Sequence, residues 1–173
     1  MKNVKCVHPI KCNRAIKAFL AEILFPIEIA LQMNDDTSVD YGVIGDVIED
    51  EEITIFIPNW KRANFLKDDG GKYFRQDFTR RCPMGKGFSD VTISILHEVG
   101  HAMTRTLLPE DYNREKECEK VETENHTYKE INFEYFKMLD ETLATNWAIA
   151  WLRNADHRKK AKAFEKEFWA CFE

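Results

Sequence analysis

Ten residues constrain this chain more than any others: Ser94-Ile95-Leu96-His97-Glu98-Val99-Gly100-His101-Ala102-Met103, which contain the pattern H-E-x-x-H. On an α-helix, positions i and i+4 lie on one face, one turn apart. His97 and His101 therefore point the same way. Leu96, Val99 and Met103 recur at i, i+3 and i+7, with Ile95 and Ala102 beside them, so one side of the helix is built for burial. The histidines fall on the other side, with Ser94 and Thr104. Two imidazoles so placed can grip one metal ion, and zinc suits them at about 2.0–2.1 Å from each nitrogen. Glu98, beside the first histidine, is placed to take a proton from a water that the metal activates. Two surface histidines on an ordinary helix would be the bland alternative, and the buried flanks argue against it.

Composition narrows the rest. A chain of 173 residues is long enough for a real core and reads as one domain, 1–173. A net charge of −5 offers no basic field for nucleic acid. The five cysteines are scattered and odd in number, and no signal peptide is evident, which places the chain in a reducing cytoplasm without structural disulfides. Cys6, His8, Cys12 and Cys82 do not have the spacing of a second zinc site. The apolar run after Lys11 is interrupted by Glu22 and Glu28 and is too short to span a bilayer, so no membrane partner is expected. The expected state is a monomer.

Along the chain, Ile16, Phe19, Leu20, Ile23, Leu24 and Ile27 have helical spacing, with Asn13 as N-cap and a kink at Pro26. A second helical piece is expected to reach Gln32, followed by a turn at 34–38. Val39, Tyr41 and Val43 alternate as a strand, with a bulge at Gly45, and Asp46 to Glu52 is acidic and turn-like. Ile53 to Ile57 is a second strand stopped by Pro58, and the two strands form an antiparallel hairpin. Residues 59–87 read as mostly loop, with a short element near Tyr73 to Phe78, and Arg80-Arg81 as a solvated pair. Ser89 or Asp90 caps the HEVGH helix, which should run to about Thr106. The charged stretch from Pro109 to Glu124 reads as a solvated helix or excursion. Helical spacing returns at Phe133, Phe136 and Leu139, then in a helix from Asp140 to Arg153, and finally at Ala161, Phe164, Phe168 and Phe172.

A catalytic zinc site needs one more protein ligand. A third histidine six residues after His101 is absent, since Leu107 stands there. The downstream candidates are His126, His157, Glu130, Glu134 and Glu141. Glu141 is favoured because Ala144, Thr145 and Ala148 share its helix face, and small residues let two helices approach closely. The alternative role for Glu141 is to complement the positive end of its own helix dipole. Tyr128, Tyr135 and His126 are the candidate donors to a developing oxyanion.

HEVGH followed by a later helix with Glu141 and Ala144 in E-x-x-A spacing resembles the gluzincin branch of zinc metallopeptidases. More narrowly, it resembles small phage-type and ImmA/IrrE-like zincins. The resemblance implies an α+β, zincin-like fold: an N-terminal helix and a small twisted antiparallel β-sheet packed on the HEVGH helix, then a helical C-terminal half with the glutamate helix. It implies Zn²⁺ held by His97, His101 and Glu141, Glu98 as the base of peptide hydrolysis, and an extended peptide held on the hairpin's edge strand. Many members carry Asp or Asn four residues after the glutamate, where this chain has Thr145. The alternative, from another class, is a non-catalytic zinc-containing regulatory or protein-binding module of a phage or mobile element; a third is a metal-free assembly scaffold.

Overall fold

Ser89 opens the helix that carries HEVGH, its hydroxyl accepting the Thr92 backbone N–H. The acidic Asp90 follows in the first turn, where the helix dipole favours it. In the computed structural model, backbone is described for residues 5–6, 14–23, 28–34, 44–48, 52–58 and 69–168, and side chains for 14–19, 21–22 and 71–168. The helices are α1 (Arg14–Ile23), α2 (Asp69–Arg81), α3 (Asp90–Thr104), α4 (Arg114–Glu124), α5 (Tyr128–Tyr135), α6 (Leu139–Leu152) and α7 (Ala155–Glu167). Short 3-10 turns occupy Pro83–Gly87 and Arg105–Leu107.

The expected α+β class is corrected here. All the residues described with side chains lie in helices, 3-10 turns or their connections, with no strand among them. Among the residues described with side chains, the body around the central helix is helical. Strand pairing is described through backbone alone, for β1 (Lys5–Cys6), β2 (Glu28–Asn34), β3 (Ile44–Ile48) and β4 (Glu52–Pro58). Their order is β1-β2-β4-β3, and the pairing is mixed rather than antiparallel. β1–β2 and β2–β4 are parallel, while β3–β4 is the antiparallel pair.

Particular elements also differ from expectation. The helical continuation to Gln32 is instead β2, in which Ile29, Leu31 and Met33 alternate with a period of two. Residues 46–48, expected as turn, belong to β3, and Gly45 pairs in register with Ile55 rather than forming a bulge. The expected loop before HEVGH contains the 13-residue α2. Asn13, Pro26, the turn at 35–38, the strand at 39–43 and Phe172 lie outside the described residues.

The core gathers around α3, which is buried on nearly every side: Ile93, Ile95, Leu96 and Val99 are fully enclosed, and so are Thr92 and, almost fully, Ser94 and Thr104. The polar side of this helix is thus interior, not exposed. α3 packs chiefly on α6 and also lies against β3 and β4. At the far end α1 docks on α7, with Phe19 stacked on Phe164 at 4.3 Å and edge-on to Trp151 at 5.8 Å. Aromatic pairs of this kind add roughly 0.5–1.5 kcal/mol beyond the area they bury.

One residue controls the closest approach. A Cβ on Gly100 would lie 2.4 Å from the Ala144 carbonyl oxygen and 2.9 Å from its Cα. These are backbone atoms, so no side-chain rotation relieves the clash. Gly100→Ala should therefore separate α3 from α6 and destabilise the protein by about 1–3 kcal/mol or more. Thermal unfolding checks this, and an unchanged melting temperature would show that the helices are less tightly apposed than the structure has them.

Candidate metal centre

The α3–α6 contact brings together the residues expected to act together. His97 and His101 project from successive turns of α3, and their Nε2 atoms are 3.2 Å apart. Glu141, in the first turn of α6, places Oε2 2.9 Å from His97 Nε2 and Oε1 3.5 Å from His101 Nε2. Asp140 and Glu141 begin this helix beside its positive end, and Asp140 Oδ1 accepts the Glu141 backbone N–H at 2.8 Å. Small residues on the Glu141 face allow the approach: Ala144 and Ala148 are fully buried and Thr145 nearly so. Leu143 and Trp147 are only half-buried, away from that face.

His97 is gripped from two directions. Its Nδ1 lies 3.1 Å from Thr145 Oγ1. The Phe74 ring of α2 packs edge-on against the imidazole at 4.9 Å. When Nδ1–H donates to Thr145, the Nε2 lone pair turns toward Glu141 and His101. Lone-pair atoms from three residues then converge, all within 4.8 Å of one another. Such convergence is unfavourable without a proton or a cation between the atoms. A tetrahedron with bonds of about 2.05 Å has edges of about 3.3 Å. The His97–His101 separation of 3.2 Å and the 2.9 Å between His97 and Glu141 Oε2 lie close to that value. The donor set fits a divalent cation of borderline softness, and His97, His101 and Glu141 could hold one.

Electrostatics point the same way. Burial favours the neutral form of Glu141, but hydrogen bonds from His101 and His97, and their charge, outweigh it and hold the carboxyl well below the usual range. Burial likewise opposes a charged His101, yet the Glu141 carboxylate raises the imidazole above its ordinary value, with a contribution from Glu98. The site is enclosed on one side and open on the other: the side chains of His97 and Glu141 are 6% and 3% exposed, that of His101 22%.

Glu98 is half-buried on the next position of α3. It directly follows His97 in the chain, and its charge contributes to raising the His101 imidazole and the Tyr135 phenol. Of the three candidate oxyanion donors, Tyr135 alone is at the site. Burial first, then the Glu141 charge, pushes its phenol up, and its hydroxyl accepts from Arg114 Nη2. Tyr128 is 60% exposed, and His126 is exposed with its backbone N–H given to Glu130. The other candidate ligands lie elsewhere. Glu130 completes a capping box with Thr127, Glu134 pairs with Lys137, and His157 stacks on Trp151 beside Glu22.

Arg114 is the residue that sequence reasoning missed. The charged stretch does form a helix with no buried residue, α4, as its solvated reading expected. At its first position, however, Arg114 turns inward. Its guanidinium donates to Glu141 Oε1 at 2.7 Å and also to Asp140 and Tyr135. The only signal was weak: Asn113 as an N-cap before an arginine that leads an otherwise acidic turn. Asn146, one position after Thr145, is exposed and accepts from Arg81.

No protein-family model, curated protein or solved structure matches the chain. Among the described residues, no helix is long and apolar enough to cross a membrane.

Proposed function

We propose that the chain is a zinc-dependent peptidase of the gluzincin kind, acting on protein or peptide substrates in the cytosol. The observation that carries this reading is the meeting of both HEVGH imidazoles with the Glu141 carboxylate, next to Glu98. Zinc held by His97, His101 and Glu141 would supply Lewis-acid polarisation of a water and of the scissile carbonyl. The chain's own groups do the rest. Glu98 takes the proton of the attacking water and delivers it to the leaving amine. Tyr135 offers a hydroxyl beside the centre to the carbonyl oxygen as charge develops there. Thr145 and Phe74 hold the His97 ring in one orientation, so little reorganisation accompanies the reaction. The partial exposure of His101 supports an approach for substrate from that side. The free thiols of Cys82 and Cys118 suit a reducing compartment.

Zinc-loaded protein should cleave members of an unstructured peptide library. It should lose that activity in 1,10-phenanthroline and regain it when zinc is restored. Protein that keeps its zinc but cleaves no peptide would instead favour the non-catalytic regulatory or protein-binding module.

A further inference from the structure

We infer that Arg114 is a positioning residue that fixes Glu141 as a one-oxygen ligand, a role that rests on the metal-site reading above. Glu141 has two oxygens with different tasks. Oε2 faces His97 Nε2 at 2.9 Å, whereas Oε1 accepts from Arg114 Nη2 at 2.7 Å. A charge-assisted bond to Oε1, which also lies 3.5 Å from His101 Nε2, opposes symmetric, two-oxygen coordination and leaves Oε2 aimed at His97. The guanidinium is itself held. Nη1 donates to Asp140, Nη2 also reaches the Tyr135 hydroxyl, and the cation lies 5.3 Å from the centroid of the Tyr135 ring. Asp140 is tied in turn to the Glu141 backbone N–H at 2.8 Å. The result is a closed arrangement of Arg114, Asp140, Glu141 and Tyr135 that spans α4, α5 and α6.

The planar fork of arginine is what makes this possible. One guanidinium presents donors in fixed directions to several acceptors, which a lysine ammonium cannot reproduce. Arg114 also balances charge. Asp140 and Glu141 place two carboxylates, 8% and 3% exposed, side by side at one helix end. With Arg114 paired to both, one net negative charge remains to face the two imidazoles. That pairing relieves the repulsion between two adjoining buried carboxylates.

The test is zinc affinity by chelator competition, together with the visible spectrum of the cobalt(II)-substituted protein. Arg114→Ala should weaken zinc binding by roughly 10–100-fold, the range for residues that orient ligands. It should also change the cobalt spectrum as Glu141 gains freedom to use both oxygens. Arg114→Lys should restore part of the affinity but not the spectrum, and it carries the test if Arg114→Ala does not fold. His97→Ala serves as the control on the site itself. If His97→Ala abolishes binding while both Arg114 variants keep wild-type affinity and spectrum, the positioning role is overturned and the metal site stands. If His97→Ala also binds zinc as the wild type does, the metal-site reading fails, and this inference with it.

Discussion

Glu98→Gln should leave zinc bound and lower peptide turnover by about 100–10,000-fold, the usual contribution of a positioned general base. The amide keeps the size and shape of the carboxylate but cannot accept a proton. Glu98 is on α3 between the two histidines, and its charge is felt at both His101 and Tyr135. It is not among the three residues whose ligand atoms converge. Loss of function with retained metal is therefore the signature of a base rather than of a ligand. Chelator competition measures the zinc, and initial rates on the best library peptide measure turnover. Cleavage at the wild-type rate would require another base.

His97→Ala should have the largest effect on the metal itself. It removes the ligand that is most firmly held, by Thr145 at 3.1 Å and by the Phe74 ring. Two ligands remain, and the effect should exceed the 10–100-fold typical of residues that only orient ligands. The apoprotein should suffer as well. The Glu141 carboxylate, 3% exposed, loses its closest imidazole, and leaving a buried polar group short of a partner costs roughly 1–3 kcal/mol. Zinc stabilises a protein only by binding its folded form. Added zinc should thus raise the melting temperature of the wild type and leave that of His97→Ala unmoved. An equal rise in both would remove His97 from the site.

The juxtaposition of His97, His101 and Glu141 was legible because it follows from local geometry. A spacing of four residues sets both imidazoles on one helix face, and the small face of Ala144, Thr145 and Ala148 marks a surface made for close approach. Gly100 is the complementary part of that contact. It went unremarked because a glycine inside H-E-x-x-H looks incidental until the Ala144 carbonyl is seen beside it. Arg114 was not legible. Its neighbours are solvated, and its partners Tyr135, Asp140 and Glu141 lie 21, 26 and 27 residues away. No helical or strand period reports a contact of that range.

The class of the fold was misread for a related reason. Residues 59–87 read as mostly loop, whereas Gly70-Gly71 sit in the first turn of α2, where Phe74 and Phe78 then bury themselves. A glycine costs a helix least near its ends, and tertiary burial of two phenylalanines offsets that cost. In the strand region, the alternating pattern located β4, but nothing in a short apolar run states which neighbour it pairs with or in which direction. The parallel β2–β4 pair therefore replaced the antiparallel sheet expected from the hairpin alone.

Zinc K-edge X-ray absorption on the stoichiometrically loaded protein tests the central claim most directly. The account predicts about one zinc per chain, with nitrogen and oxygen neighbours only, at about 2.0–2.2 Å, and outer-shell scattering from two imidazoles. A shell containing sulfur at about 2.3 Å, or a protein that takes up no stoichiometric zinc, would contradict it.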